Sequence, residues 1–338
     1  MEALEAFLDE AGVGHGRITL TPIGDGHSNL TYALRRRAER FVLRRPPHGP
    51  LPPSVHDVLR EARLLAALGP TTIPVPEVLA VCDCDDVIGA PFYVTTFVDG
   101  HVLGGARVPS TLDGPGARAQ IAERLIDAAA ELHALGPDTP GLDRFGRGDR
   151  YLDRQVRRFG DLLARNATRP LPQLEAVADW LAANLPQTTE VTLVHGDLRL
   201  GNVMFAPEPP PRVVAVLDWE MTTVGDPLAD LGYLTATWAD PDDPPNPMLE
   251  LCAVTRLAGF PDRATLARRY GERTGRDLTQ LGWYQTLALW KSAIFLEGSY
   301  RRFRDGRTDD PFFATLEHGV PALASAALAS TRSRRAAR

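Results

Sequence analysis

Short apolar runs separated by turn residues occupy the first hundred residues of the chain. These runs are rich in β-branched and aromatic residues and alternate with glycine, proline and charged positions, which predicts short strands. They lie at 17–23, 30–34, 41–44, 77–81 and 92–98. Between the third and fourth runs, the segment 54–68 carries apolar residues at helical spacing, and its Ser54 and Asp57 form a capping-box pattern. The first third of the chain therefore predicts a small β-rich unit with one helix.

The remainder of the chain has mainly helical periodicity. Apolar residues recur every three or four positions in several segments, among them 115–135, 151–166, 174–185 and 227–238. Two short β segments, 191–194 and 213–217, interrupt the helices and predict a hairpin. Asp99-Gly100 breaks the preceding strand and predicts a boundary between lobes. The predicted organisation is an N-terminal lobe at 1–98, a C-terminal lobe at 99–330 and a basic, disordered tail at 331–338.

Length, charge and cysteine content narrow the class of protein. The 338 residues can bury a sizeable core, and the net charge of −6 argues against a general nucleic-acid binder. The three cysteines do not pair evenly, and Cys82-Asp83-Cys84 lacks further zinc ligands, so reduced thiols are expected. The N-terminus is acidic where a signal peptide is basic, and no apolar run approaches the ~20 residues of a membrane helix. We expect a cytoplasmic protein that binds neither nucleic acid nor membranes.

The most informative stretch is His195-Gly196-Asp197-Leu198-Arg199-Leu200-Gly201-Asn202. A carboxylate and, five residues on, a carboxamide lie in a glycine-containing loop between apolar segments. About twenty positions downstream, Asp218 follows a second apolar strand in Leu217-Asp218-Trp219-Glu220. Phosphoryl transfer from a nucleotide requires an acid that orients a hydroxyl, and an amide oxygen and a second acid that hold Mg²⁺. Asp197 is therefore the candidate base, and Asn202 and Asp218 are the candidate metal ligands.

These motifs, with Gly225-Asp226-Pro227-Leu228-Ala229-Asp230-Leu231 after them, resemble those of the aminoglycoside phosphotransferase and choline kinase superfamily. More narrowly, the chain resembles the bacterial phosphotransferase enzyme family, which includes the kinase-like domain fused to some acyl-CoA dehydrogenases. The resemblance covers nearly the whole chain. It implies an α+β fold with the two lobes of a protein kinase: a small antiparallel β N-lobe with one helix and a larger, mainly helical C-lobe. It also implies ATP, with GTP as an alternative, and Mg²⁺.

The resemblance also implies supporting roles around the catalytic residues. His195 is similar to the structural histidine of the kinase catalytic loop, and Asp230 would hold the backbone of that loop from the following helix. Asp226, directly before Pro227, fits a helix N-cap. Glu220 has two open interpretations, as a ligand of a second metal ion or as a solvated loop residue.

A glycine-containing loop between the first two predicted strands includes Gly26, Ser28 and Asn29. Glycine lets the backbone approach phosphates, and the two polar side chains can donate hydrogen bonds to them. The Gly-Asp-Gly sequence is also a good hairpin turn. The resemblance favours a loop that covers the nucleotide phosphates.

One position departs from the family pattern. Most related kinases carry lysine at the strand position of Arg44, although choline kinases are similar in having arginine there. A planar guanidinium is not equivalent to a compact ammonium group. The resemblance implies that Glu61, on the predicted helix, is its ion-pair partner. It also implies that the backbone around Thr95 and Phe97 bonds the edge of the adenine.

Two basic segments are expected to border the acceptor. The segment 147–169 has seven arginines against three aspartates, and 287–307 has Lys291 and four arginines against two acids. A polycationic aminoglycoside would need acids here, whereas these segments suit a carboxylate or a CoA-linked hydroxy acid. A solvated helical face is the other interpretation. Four aromatic residues could instead form a cation–π box for a choline-like amine, although such residues are more often core: Trp283, Tyr284, Trp290 and Tyr300.

The resulting prediction is an ATP- and Mg²⁺-dependent O-phosphotransferase that acts on a hydroxyl of an anionic acceptor, a hydroxy acid or a hydroxyacyl-CoA. One alternative is an aminoglycoside or amino-alcohol kinase. An alternative of another class is a weakly active nucleotide-binding pseudokinase module, which Arg44 leaves open. A protein kinase is disfavoured because Gly225 follows Asp218 too closely for a long activation segment. The expected partner is the small-molecule acceptor, and the expected state is a monomer or homodimer.

Overall fold

The protein divides into two compact units, each described here by itself. A computed structural model describes residues 1–24, 29–47, 57–146, 148–188, 190–308 and 310–333. The first unit contains Met1–Gly100 and Val214–Met221, and the second contains His101–Val213 and Thr222–Arg338. The first unit is built on a sheet and the second is mainly helical, so the predicted α+β class is confirmed.

The first unit is a five-stranded antiparallel sheet with two helices. Its strands are β1 (Ile18–Ile23), β2 (Leu30–Arg36), β3 (Glu39–Arg45), β4 (Val78–Cys82) and β5 (Phe92–Thr96), and its helices are α1 (Glu2–Glu10) and α2 (Val58–Leu68). The spatial order of the strands is β1-β2-β3-β5-β4. Alternation along β3 buries Phe41 and Leu43 in the core with Leu34 and Phe92, and it leaves Arg44 on the other face. All five predicted strands are present.

Helix α2 begins later than the apolar pattern suggests. Asp57 is its N-cap, and the carboxylate accepts a hydrogen bond of 2.8 Å from the backbone N–H of Arg60. The predicted start at Ser54 lies outside the described residues. Glu61, in the first turn, is only 2 % exposed although it carries a carboxylate. A buried acid in an apolar helix face requires a partner, and that partner lies in the site described below.

The second unit is a set of packed helices. They are α3 (Pro115–Leu132), α4 (Tyr151–Asn166), α5 (Pro172–Ala183), α6 (Leu228–Thr237), α7 (Pro247–Glu250), α8 (Arg263–Thr274), α9 (Leu281–Arg304) and α10 (Leu316–Ser333). The large apolar cluster of this unit surrounds α9, and its tryptophans satisfy their indole N–H groups by bonding to backbone carbonyls. Gly232 on α6 allows close contact with α9, because a Cβ there would lie 2.5 Å from the Cβ of Tyr284.

The remaining strands are short: β6 (His101–Val102), β7 (Thr192–Val194), β8 (Val203–Phe205), β9 (Val213–Val216) and β10 (Thr223–Gly225). The predicted hairpin between 191–194 and 213–217 is wrong, because β7 pairs antiparallel with β10. Residues Val213–Val216 form β9, as the apolar pattern predicts. The pairing differs because three more residues of β structure follow the second acidic motif, which no local pattern indicated.

Helix α10 also corrects an expectation. The segment Pro311–Arg332 is long and apolar enough to cross a membrane by length and composition alone. In this structure Leu316, Val320 and Leu323 are buried in the core cluster of the second unit. The segment is therefore accounted for as a core helix. It continues to Ser333, inside the stretch predicted as a disordered tail, and positions 334–338 lie outside the described residues.

Candidate active site

The catalytic motif of the second unit lies between β7 and β8. Gly196 adopts φ 86°, which favours glycine and turns the chain after the strand. A short 3-10 turn then carries Asn202, whose Nδ2 donates to the backbone oxygen and to Oδ2 of Asp197, each at 2.8 Å. These two bonds fix the carboxamide. Its oxygen, Oδ1, is the atom of Asn202 that can ligate a cation, and the Asp197 carboxylate is oriented by its neighbour.

Tyr233 is a site residue that the sequence reasoning missed. Its phenol hydrogen-bonds to the carboxylate of Asp197, and burial together with the negative charge of Asp197 raises the pKa of Tyr233 well above its ordinary value. The phenol therefore remains a donor. The available signal was its position: Tyr233 lies three residues after Asp230 on the predicted helix, and residues three apart share a helix face. Arg199 also lies near Asp197, with Nε 3.8 Å from Oδ1.

Asp230 ties this loop to α6. Its Oδ2 accepts from the backbone N–H of His195 at 2.7 Å, and its Oδ1 accepts from the backbone N–H of Gly196 at 2.8 Å. His195 is fully buried, and its Nδ1 accepts from the backbone N–H of Asp197 at 3.2 Å. The loop backbone is therefore held at three consecutive residues, the last of which is the candidate base itself.

A second histidine extends this anchoring inward. His133 Nε2 lies 3.1 Å from Asp230 Oδ2, and its Nδ1 lies 2.7 Å from the hydroxyl of Tyr270. Burial alone would raise the pKa of Asp230, but the hydrogen bond and charge of His133 and the backbone N–H of Gly196 lower that pKa below its usual value. No motif in the sequence pointed to His133, because it lies almost a hundred positions from its partner.

The first unit holds the second acidic motif at the end of β9. Asp218 adopts φ 65°, a left-handed conformation that is uncommon for a residue with a side chain and that clusters at functional sites. Its Oδ1 accepts from Arg44 Nη2 at 2.6 Å, and Arg44 Nε lies 3.0 Å from Glu61 Oε2. The structure thus brings Arg44, Glu61 and Asp218 together, and Arg44 neutralises two acids at once.

Burial controls the charges of this cluster. It raises the pKa of Glu61 to about 7, against the lowering effect of the Arg44 guanidinium. Burial also disfavours the charged form of Arg44, but Glu61 and the neighbouring acidic groups outweigh it and raise the pKa of Arg44. Glu61 further accepts from the backbone N–H of Trp219 at 3.2 Å and from the hydroxyl of Tyr93. Helix α2 is thereby connected to the acidic motif, with Tyr93 as a second residue that the sequence did not suggest.

Asn29 and Glu220 lie beside this cluster. Asn29 Nδ2 is 3.4 Å from Glu220 Oε2, and Asn29 Oδ1 is buried without a hydrogen-bond partner in the described part of the chain. An unsatisfied buried acceptor at this position fits a donor or a cation supplied by a ligand. Gly26 and Ser28, predicted to cover the phosphates, lie outside the described residues.

The predicted adenine-binding stretch ends β5. Thr95 is buried in the strand, and the next residue, Thr96, donates its backbone N–H to Glu77 at 2.9 Å. Phe97 follows the strand, and its ring lies 4.4 Å below the guanidinium of Arg40. These contacts fix the strand end, and the roles of Thr95 and Phe97 in nucleotide binding stay predictions.

The cation–π box is not formed by the four aromatic residues suggested for it. Trp283, Tyr284, Trp290 and Tyr300 are each less than a tenth exposed and belong to the apolar core. The hydroxyl of Tyr284 donates to Asp226 at 2.7 Å, and Asp226 also accepts from the backbone N–H of Leu228 at the start of α6. Helical spacing placed these rings inward, where they stabilise the fold.

Two candidate metal ligands carry oxygen atoms of the kind that Mg²⁺ prefers. They are the carboxamide of Asn202, in the second unit, and the carboxylate of Asp218, in the first. Within the described residues there is no cluster of three His, Cys, Asp or Glu side chains arranged to hold a metal ion alone. Each of the two residues by itself therefore offers a hard oxygen ligand, and Mg²⁺ commonly completes its shell with water and phosphate.

This fold and these residues define a small-molecule kinase with an alcohol group as acceptor. A family model described as the phosphotransferase enzyme family matches residues 19–284. The chain belongs to this family. The expected kinase-like fold, with a small sheet-containing lobe and a helical lobe, is confirmed by the solved structures that it resembles.

Among those structures, a Ralstonia eutropha JMP134 protein provisionally described as an aminoglycoside phosphotransferase is 29 % identical, with a TM-score of 0.81 and 98 % of each chain covered. Aminoglycoside phosphotransferase APH(4)-Ia, solved with AMP-PNP and hygromycin B, is 15 % identical, with a TM-score of 0.62, and 98 % of this chain and 99 % of that one are covered. The second likeness shows the fold alone.

The curated relatives are longer proteins. Acyl-CoA dehydrogenase family member 11 of Rattus norvegicus is 33 % identical over 98 % of this chain, which covers 43 % of that protein. Acyl-CoA dehydrogenase family member 10 of Mus musculus is 33 % identical over 90 % of this chain and 29 % of its own length. The chain thus spans less than half the length of the curated relatives it matches.

Proposed function

We propose that this protein transfers the γ-phosphoryl group of ATP, with Mg²⁺, to a hydroxyl of an anionic small molecule such as a hydroxy acid or hydroxyacyl-CoA. The observation that carries the proposal is the geometry of Asp197. Its carboxylate is oriented by Asn202 and Tyr233 on a loop anchored by Asp230. A partly exposed carboxylate held in this way can orient an acceptor hydroxyl.

The roles of the residues follow from the chemistry. The metal ion, when bound, neutralises phosphate charge, and Asn202 and Asp218 are the residues that would hold it. Asp197 orients the acceptor oxygen toward the γ-phosphorus and accepts its proton late, as the bond to the leaving oxygen breaks. In a loose transition state positioning contributes most of the acceleration, so the orientation of the Asp197 carboxylate is its main contribution. Arg44, with Glu61, is the candidate group for the nucleotide phosphates.

The charges of the acceptor region support an anion over a polycation. Acidic side chains on 148–169 and 287–308 are mostly engaged with arginine: Asp149, Asp153, Glu297 and Asp305. An aminoglycoside amine would have to displace these partners. The relatives named as acyl-CoA dehydrogenases add an indirect argument for acyl-CoA chemistry. Their own activity belongs to longer chains.

The test is a nucleotide-consumption screen with matched detection of product. ATP and Mg²⁺ are incubated with the protein and panels of hydroxy acids, hydroxyacyl-CoAs, amino alcohols and aminoglycosides. ADP release is measured together with the mass gain of one phosphoryl group on the acceptor. We expect turnover with an anionic acceptor. Turnover confined to kanamycin-like polycations would restore the aminoglycoside interpretation, and nucleotide binding without turnover on any class would favour the pseudokinase module.

Two further properties belong to the same proposal. A cytoplasmic location agrees with the free thiols of Cys82, Cys84 and Cys252. The proposed state is a monomer or homodimer, which sedimentation in the presence and absence of nucleotide would test.

A further inference from the structure

The arginine-rich segments of the second unit are less basic than their composition suggests. Arg150 and Arg157 both pair with Asp153, and Arg169 pairs with the buried carboxylate of Glu297. The remaining ion pairs of these segments are Arg154 with Asp149 and Arg301 with Asp305. Five arginines of these segments are therefore paired with acids of the protein, and their charge is not fully available to a ligand.

Five cations of α4 and α9 have no carboxylate within ion-pairing distance among the described residues: Arg158, Arg165, Lys291, Arg302 and Arg304. Lys291 differs from the other four, which are exposed. Lys291 is half-buried, and its Nζ lies 4.7 Å from the ring centroid of Phe159, the neighbour of Arg158. The charges of Lys291 and Arg158 also affect each other: burial and the nearby Arg158 lower the pKa of Lys291 to about 8.

The position of Lys291 connects this pair of cations with the catalytic loop. Lys291 lies two helical turns after Tyr284 on α9, and Tyr284 is in contact with Gly232 and Asp226 of the α6 region. Helix α6 carries Asp230, which anchors the loop, and Tyr233, which donates to Asp197. Electrostatic attraction by Asp197 reaches Lys291 as well. Lys291 is thus a cation on the helix face that packs against the elements holding the candidate base.

We propose that Lys291, with Arg158 beside it, binds an anionic oxygen group of the acceptor, a carboxylate or a phosphate, and thereby selects anionic acceptors. The inference rests on the proposed function, which it deepens by assigning the residues. The charge of the exposed Arg158 disfavours the charged form of the half-buried Lys291, and a bound anion offsets that repulsion and supplies the missing counter-charge. The contact involves a part of the acceptor that does not react. It therefore binds the ground state and the transition state alike, and its loss appears in KM rather than in kcat.

The experiment compares four variants with three acceptors. The variants are Lys291→Gln, Lys291→Arg, Arg158→Gln and the control Arg157→Gln, which removes an exposed arginine of the same helix that pairs with Asp153. The acceptors are a short hydroxy acid, its CoA thioester and a neutral hydroxy amide of equal length. We expect Lys291→Gln to raise KM for the hydroxy acid about 10-fold or more, equivalent to about 1.4 kcal/mol, with a smaller change in kcat.

The other variants and the neutral acceptor distinguish a loss of charge from a loss of packing. Lys291→Arg should restore the KM for the anionic acceptor, Arg158→Gln should raise it less, and Arg157→Gln should change it by less than about 2-fold. KM for the neutral amide should stay within about 2-fold in every variant, since no charge is involved. If the CoA thioester, which lacks the free carboxylate, loses as much as the free acid, the site also binds a phosphate of CoA. If only the free acid loses, the group bound is the carboxylate.

A pH profile supplies an independent measurement. For wild type, kcat/KM for the anionic acceptor should fall as pH rises through about 8, because the free enzyme loses the charge of Lys291. Lys291→Arg should remove that fall.

An active wild type whose Lys291→Gln variant keeps the same KM for the hydroxy acid overturns this inference and leaves the kinase proposal intact. A wild-type protein that phosphorylates none of the acceptors overturns the proposed function itself. If the Lys291→Gln variant does not fold, Lys291→Met takes its place, because methionine keeps the apolar part of the side chain.

Discussion

The two acidic motifs of this protein are held by different physical means. Asp197, in the helical unit, is oriented by hydrogen bonds from Asn202 and Tyr233 on a loop whose backbone N–H groups bond to Asp230. Asp218, in the sheet-containing unit, has a left-handed backbone, and its carboxylate is held by a guanidinium. The first arrangement depends on many short bonds to buried groups, whereas the second depends on a charge that a metal ion can replace.

This difference separates a fixed group from an exchangeable one. A base must be oriented before the acceptor arrives, so permanent hydrogen bonds suit it. In the proposed function Asp218 accepts a cation that comes with the nucleotide, and the ion pair with Arg44 compensates the charge of its carboxylate until then. We therefore expect substitutions in the two regions to have different effects on turnover, binding and stability.

The largest effect should come from the two acids themselves. Asp197→Asn should lower kcat by about 10²–10⁴-fold while Mg²⁺-dependent nucleotide affinity stays near wild type, because the base is lost and the metal site is not. Asp218→Ala should lower both kcat and the Mg²⁺-dependent affinity for nucleotide. Turnover on the acceptor and nucleotide binding by calorimetry separate the two outcomes. Near-normal turnover in both variants would contradict the assignment of the site.

The next largest effect should come from Asp230, which anchors the loop that carries Asp197. Asp230→Asn leaves at least one of two buried backbone N–H groups without a charged acceptor, so we expect the free energy of unfolding to fall by about 3 kcal/mol, with a marked loss of kcat. Denaturant unfolding and turnover are measured together. The control is Asp277→Asn, an exposed acid that also accepts two hydrogen bonds, from Thr279, and it should cost far less.

A double-mutant cycle tests the ion pair of Arg44 and Glu61 beside Asp218. Arg44→Ala and Glu61→Ala should each destabilise the protein by about 3–5 kcal/mol, since each leaves a largely buried charge unpaired, and the double variant should cost less than the sum. Unfolding and nucleotide affinity are the measurements. The exposed pair of Arg40 and Asp99 in the same unit provides the comparison, with a coupling below about 1 kcal/mol. If the effects of the two single substitutions simply add in the double variant, Arg44 and Glu61 interact no more strongly than an ordinary surface ion pair.

The smallest effect is a dependence on pH. Burial raises the pKa of Glu61 to about 7 from its ordinary value of 4.5, so the folded state holds the proton more tightly than the unfolded chain. Its contribution to stability is therefore present below pH 4.5 and is lost as pH rises through about 7. Asp230, whose pKa is lowered, stays ionised across that window and adds no slope. Glu61→Gln should flatten the difference between pH 4.5 and 7 in the free energy of unfolding. An identical slope in wild type and variant would show that Glu61 does not titrate there.

Several features could be predicted because their cause is local. Short runs of β-branched and aromatic residues, bounded by turn residues, predicted all five strands of the first unit. Asp57 was recognised as a capping residue although the helix start was placed too early. The hairpin was wrong because strand pairing depends on a partner, β10, that has only three residues. The aromatic residues of α9 were ambiguous in sequence, since helical spacing does not distinguish a binding face from a core face.

Tyr233, Tyr93 and His133 show why part of the site could not be predicted. Each is an ordinary residue in an apolar or helical segment, and its role comes from the carboxylate it meets: Asp197, Glu61 and Asp230. The same holds for charge. Arg157 and Arg158 are adjacent and chemically identical, and each has an acid one helical turn away, but among the described residues only Arg157 forms an ion pair, with Asp153. Composition counted both as basic, whereas the structure distinguishes them.

The sequence by itself determined the order of the chemical groups, the types of the secondary-structure elements and the family. These depend on residue types and spacings within short windows, where backbone preference and apolar periodicity act. The tertiary structure decided which groups neutralise one another: Arg44 meets Asp218 across 174 positions, and Trp219 meets Glu61 across 158. Such contacts form because folding buries charges that must then find partners, and the partner depends on how distant segments pack. That packing raised the pKa of Glu61, left Arg158 and Lys291 without an ion-pair partner in the described part of the chain, and held Asp197 in place.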